Sequence, residues 1–87
     1  MKPPTEFHFT SHSKKRAEER EITEDLFKEV VLNHEKKKQQ YRGNHGGFVY
    51  LFSKKYGERE LHIAAEVRKE NCFFVTGYWI DETPAEN

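Results

Sequence analysis

Cysteine is nearly missing from this chain. Cys72 is the single one among 87 residues, so no intrachain disulfide can staple the fold. Such usage fits a reducing compartment, and the expectation is a cytoplasmic protein. Long apolar runs are missing as well. No stretch approaches membrane-spanning length, and Met1-Lys2-Pro3-Pro4 leads into no signal-peptide apolar region. Nor is there an excess of either charge: 15 Lys and Arg stand against 15 Asp and Glu. That balance argues against strong non-specific nucleic-acid binding by the molecule as a whole. Apolar residues are scarce too, with a mean hydropathy of −1.02. A chain this polar approaches the disordered class, but zero net charge and plentiful aromatics point to a folded one.

Seven Phe, four Tyr and one Trp must supply much of the core. The length fits one domain over residues 1–87, marginally stable alone. Charge is neutral in sum but locally polarised. Lys36, Lys37, Lys38, Arg42, Lys54 and Lys55 fall in a stretch to Gly57 that holds no acid, while acids gather over Glu18 to Glu35 and in the last seven residues.

Phe7 to Thr10 reads as a short strand. Ser11 to Arg20 reads as a polar helix whose only apolar member is Ala17, so neighbours must hold it. Ile22, Leu26, Phe27, Val30 and Val31 form a helical stripe. Thr23 is the expected N-cap of a helix over Glu24 to Leu32. Lys38 to Arg42, Phe48 to Lys54, Arg59 to Val67 and Cys72 to Ile80 read as a meander of strands. The turn cluster 43–47, Tyr56-Gly57-Glu58 and Arg68 to Asn71 separate them. The last strand is apolar on both parities, the mark of a central or doubly covered strand. Order is expected over about 6–80, with a loose acidic tail over 81–87. The order β-α-α-β-β-β-β predicts an α+β fold: two N-terminal helices on one face of a four- to five-stranded, largely antiparallel sheet.

His12, Arg16 and Arg20 recur every fourth residue. A helix places them on one stripe roughly 80° wide. An imidazole carries protons near neutral pH, and guanidiniums match phosphate oxygens two at a time. The same stripe would also serve as a solvated face paired with Glu18, Glu19 and Glu21. On the strand over 59–67, Leu61, Ile63, Ala65 and Val67 should face the helices. His62, Ala64, Glu66 and Arg68 should line the other face, where His62 and Glu66 form a second-choice acid–base set or simply the wet side of a sheet. The six basic residues interleave with Tyr41, Phe48, Tyr50 and Phe52. Lysines neutralise phosphates and aromatics stack on bases; alternatively this is a lysine-protected edge hairpin with its aromatics in the core. His8 and His12 have a zinc-like spacing, but the first lies on a strand and no ligand cluster follows, so neither metal nor cofactor is expected. Cys72 reads as a small buried residue. The loop 43–47 lacks the Lys-Ser/Thr pair of a P-loop and reads as a flexible turn.

His12, Arg16, Arg20 and Ile22, with Val75-Thr76-Gly77-Tyr78 near the other end, resemble the signature of a bacterial family known as domain of unknown function 4258. The resemblance covers about residues 7–80. It implies a RelE-like fold among the RelE, barnase and colicin-like ribonucleases, and a metal-independent RNA-cleaving toxin of a toxin–antitoxin pair. In that reading His12 carries a proton, Arg16 and Arg20 clamp the phosphate, Thr76 donates to a phosphate oxygen, and Tyr78 acts as acid or stacking platform. The partners implied are RNA and an antitoxin protein. A non-catalytic module binding RNA or protein through the same fold is the alternative. Glu21 stands where the family commonly has Gly, which puts the turn after Arg20 in question if a positive dihedral is needed there.

Overall fold

The computed structural model describes residues 3–81. Residues 82–87 of the expected tail lie outside the described residues. The elements are β1 (Glu6–His8), α1 (Ser11–Glu19), α2 (Glu24–Leu32), β2 (Lys36–Arg42), β3 (Phe48–Tyr56), β4 (Arg59–Arg68) and β5 (Asn71–Asp81). They form the expected α+β fold, with a five-stranded sheet in the order β1-β5-β4-β3-β2. All neighbours are antiparallel except β1, which runs parallel to β5. No helix among the described residues is long and apolar enough to cross a membrane.

Each helix starts where a threonine satisfies its free N–H groups. Thr10 Oγ1 accepts from Ser13 N at 3.1 Å, and Ser13 Oγ accepts from Thr10 N at 3.0 Å, a reciprocal cap. Thr23 Oγ1 accepts from Leu26 N at 3.1 Å, with Glu24 and Asp25 at the positive end of the helix dipole. α1 buries only Ser13 and Ala17, so local capping matters for it. α2 buries Phe27, Val30 and Val31. The Phe27 ring is fully buried and meets Phe7, Phe9 and Phe74 at steep angles, with centroids 5.1–5.2 Å apart. The scarce aliphatics Ile22, Leu61 and Ile63 fill in around this aromatic centre. Cys72 is buried in the same core, and burial pushes its thiol up to about 12, consistent with a packing residue.

β5 is central only at its start. Asn71, Cys72 and Phe73 pair with β1, and beyond them the outer side of β5 has no strand partner among the described residues. The strand also changes register opposite Ala64 and Ala65: Ala64 faces Thr76 while Ala65 faces Phe74, leaving Val75 as an extra residue. Cys72, Phe74, Gly77 and Trp79 consequently face the helices, and Phe73, Thr76, Tyr78 and Ile80 face the open side. This accounts for the apolar residues on both parities. Gly77 sits where α1 and its following turn press closest: a Cβ there would meet Ile22 Cδ1 at 2.9 Å.

α1 ends in a Schellman turn. Ile22 N donates to Ala17 O at 2.8 Å and Glu21 N to Glu18 O at 3.1 Å, with Ala17 and Ile22 both buried. Glu21 adopts φ 60° in place of the glycine expected there, so the turn is kept at the expense of a strained backbone. Glu21→Gly should stabilise the protein by about 0.5–1 kcal/mol, the relief of strain partly offset by a freer unfolded chain. Thermal unfolding should show Tm rising by roughly 2–8 °C.

Candidate functional site

The last residue of the N-terminal stripe reaches the last strand. Arg20 Nη1 donates to Gly77 O at 2.7 Å and to Thr76 Oγ1 at 3.3 Å. In return Trp79 Nε1 donates to the Arg20 carbonyl at 3.0 Å. This exchange occupies the part of β5 that β1 leaves unpaired. It uses one nitrogen of a five-donor group and leaves the remaining N–H groups for a ligand. A cleft of about 390 Å³ opens here, lined by Glu19, Arg20, Glu21, Arg59, Tyr78 and Trp79.

His12 and Arg16 share the flank of α1 that carries Arg20, because Ser13 and Ala17 face the sheet and Lys14 and Glu18 lie on the opposite flank. Both are exposed, and neither side chain makes a hydrogen bond or ion pair with another described residue. The structure thus brings Arg20, Thr76 and Tyr78 together and leaves His12 and Arg16 projecting into solvent beside them. His8 is not part of that stripe: it bonds Asn71 Oδ1 at 3.0 Å and stacks on Phe73. No three His, Cys, Asp or Glu side chains among the described residues are gathered to hold a metal ion.

On the open face, register sets the side chains in rows across the strands. Ser53, His62 and Tyr78 form one row; Leu51, Ala64 and Thr76 the next; Val49, Glu66 and Phe73 the third. His62 stacks on Tyr78 with centroids 5.3 Å apart and 12° between planes. Its Nε2 meets Glu60 Oε1 at 2.8 Å, and this hydrogen bond holds the Glu60 carboxyl below its ordinary range. Its Nδ1 is buried without a partner among the described residues.

Glu66 does not line an open cleft as parity predicts. It is 2% exposed, because the 43–47 loop folds over it. Its carboxylate accepts from His45 N at 2.8 and 3.1 Å and from Gly47 N at 2.8 Å, and pairs with His45 Nδ1 at 3.1 Å. A Cβ on Gly43 would collide with that carboxylate, and one on Gly47 would strike the Val67 carbonyl. The loop is therefore anchored, not a free turn. Burial opposes ionisation of Glu66, but the Gly47 and His45 donors outweigh it and hold the carboxyl below 4.5. His45 stacks on Phe73 at 4.1 Å with planes 6° apart. Sequence reasoning missed His45; its one signal was an imidazole among glycines in the hairpin loop above an acid on the neighbouring strand.

The basic stretch divides between faces. Lys36 and Lys38 pair with Ser53 and Leu51 on the open side, and Lys55 pairs with Glu60 there. Lys37 lies over the Tyr50 ring at 4.5 Å and Arg42 over Phe48 at 5.0 Å, both on the helix side. Lys54 bonds Glu29 of α2 at 3.0 Å, which raises its pKa. Among the aromatics only Phe52 is fully in the core; Tyr50 packs at its margin and Tyr41 is exposed.

Because folding depresses the Glu66 value, its ionic contribution is complete above the unfolded value, near 4.5, and is lost as pH falls through the folded value. Urea denaturation should show wild type losing stability more steeply below pH 4.5 than Glu66→Gln. Glu66→Ala, which orphans buried N–H groups, should cost about 1–3 kcal/mol at neutral pH.

No curated protein and no solved structure is significantly similar to the chain. The sequence profile of the family described as Domain of unknown function (DUF4258) matches residues 9–79, which hold α1, the Arg20–Thr76 contact and the open sheet face. The chain therefore belongs to the DUF4258 family.

Proposed function

We propose that this protein is a small RNA-cleaving enzyme related to the RelE and barnase-like ribonucleases, working without a metal, and the toxin of a toxin–antitoxin pair. The observation that carries this reading is the delivery of Arg20 to Thr76 at the unpaired edge of β5, with Tyr78 one step further on the open face. A phosphodiester seated there would meet the unused guanidinium N–H groups and the Thr76 hydroxyl, which favour the charge that builds on phosphorus-bound oxygens. Tyr78 offers a half-exposed ring on which a base can stack. Lys36 and Lys38 continue the positive track across the same face. His12, on the Arg20 flank of α1, would take the 2′-hydroxyl proton, and Arg16 would add charge between them. Glu19 and Glu21 in the cleft oppose an anion and favour its entry from the open face.

The purified protein should cleave labelled single-stranded RNA in the presence of EDTA. Arg20→Ala and His12→Ala should each slow cleavage by about 100-fold. Cleavage indifferent to both substitutions would remove these roles. The exposed, unpartnered state of His12 also favours a second reading, a module that binds RNA without cutting it. That reading yields a stable retarded complex and no new fragments over time.

A further inference from the structure

RNA cleavage through the 2′-hydroxyl needs two proton carriers, one to deprotonate the nucleophile and one to protonate the leaving oxygen. On the open face three imidazoles compete for the second post. His8 is bound through Nε2 to Asn71. His62 has Nε2 on Glu60 and Nδ1 buried. His45 shares with His8 one bound nitrogen and a stack on Phe73, and differs from both in being held by a buried carboxylate where His8 has a neutral amide. Its Nδ1 is held by a buried carboxylate, its ring is clamped flat on Phe73, its side chain is 47% exposed, and its Nε2 has no partner among the described residues.

That is the arrangement an acid–base imidazole requires: one nitrogen fixes the tautomer and orientation, and the other faces the substrate. The location agrees. Glu66 lies in the row beside Leu51, Ala64 and Thr76, a step of about 7 Å along the strands. The Ala64 side chain between them is short, and a cavity of about 100 Å³ lined by Tyr41, Asn44, His45 and Val75 opens at this point. The anchoring is also more than a turn needs. Two glycines without room for a Cβ bring the loop onto Glu66, and the hairpin could close without burying a carboxylate.

We infer that His45, positioned by Glu66, is the general acid of this face, donating its Nε2 proton to the 5′-oxygen that leaves phosphorus. The inference rests on the ribonuclease reading above. In the step, the 2′-oxygen forms a bond to phosphorus as its proton passes to His12. The bond from phosphorus to the 5′-oxygen breaks, and that oxygen takes the proton from His45. A 2′,3′-cyclic phosphate and a free 5′-hydroxyl result, and the two imidazoles re-equilibrate their protons with water.

The test compares two substrates. One is an oligoribonucleotide cut by the wild-type protein. The other is the same oligonucleotide with sulfur replacing the 5′-oxygen at the cut linkage, a leaving group that needs no proton. His45→Gln should slow the oxygen substrate by about 100-fold or more and the sulfur substrate by less than about tenfold. Residual sulfur cleavage shows that the variant is folded. Glu66→Gln, which keeps the shape but not the charge, should shift the ratio of the two rates in the same direction and by less. Equal losses on both substrates, or no loss on the oxygen one, would overturn the inference while the ribonuclease reading stands. A wild-type protein that cuts no oligoribonucleotide removes both.

Discussion

Two nine-residue helices cannot cover both sides of a five-stranded sheet. At about 1.5 Å per residue each spans roughly 13 Å. They therefore lie on one side, and the scarce apolar residues are concentrated there around Phe27. The opposite side must live with water, and its composition follows: lysines, imidazoles, a threonine, a tyrosine, and carboxylates that need partners. It is not simply wet, however. Val49, Ser53 and Glu66 are buried on it, Glu66 under the glycine loop. A surface that is neither core nor bulk solvent holds polar groups in fixed positions at reduced dielectric, which a reactive surface requires.

Much of this was legible from the chain. Thr23 and the stripe behind it marked α2, and the turn segments 43–47, 56–58 and 68–71 marked the hairpins. The four-residue recurrence of His12, Arg16 and Arg20 gave their direction around a helix but not how far each side chain reaches. Arg20 reaches β5 because the Schellman turn brings the helix end against the sheet, whereas His12 lies two turns earlier. Strand parity placed both His62 and Glu66 correctly on the side away from the helices, but not the burial of Glu66 there. Alternation says which face a side chain takes but not what folds over it. The cover comes from a loop 21 residues earlier, and only Gly43 and Gly47 hinted at so close an approach. The basic stretch was legible as charge but not as orientation, since its register against β3 is set by pairing rather than composition.

Of the features that run against local preference, which include the left-handed backbone of Lys69, two concern Arg20 and His45. Glu21 holds a left-handed backbone that glycine would adopt freely, and Glu66 is ionised out of water. Both lie next to the proposed chemistry: one follows Arg20, and the other holds His45. In a domain whose total stability is small, such departures persist where the surrounding structure over-determines them. Here the surroundings are the Ala17–Ile22 closure in the first case and three backbone and ring donors in the second.

A β-strand is read in steps of two, and Val75 is an insertion of one. Upstream of it, even-numbered positions point inward; downstream, odd-numbered ones do. Were the bulge ironed out with Val75 kept as a regular strand residue, strict alternation would turn Thr76 and Tyr78 toward the helices and Trp79 outward, with every side chain after it exchanged between interior and surface. Both the dry packing of Gly77 under Ile22 and the exposed pair Thr76 and Tyr78 thus hang on one out-of-step residue. Whether Val75 is held as a bulge or taken into the regular ladder decides whether the molecule has this surface at all.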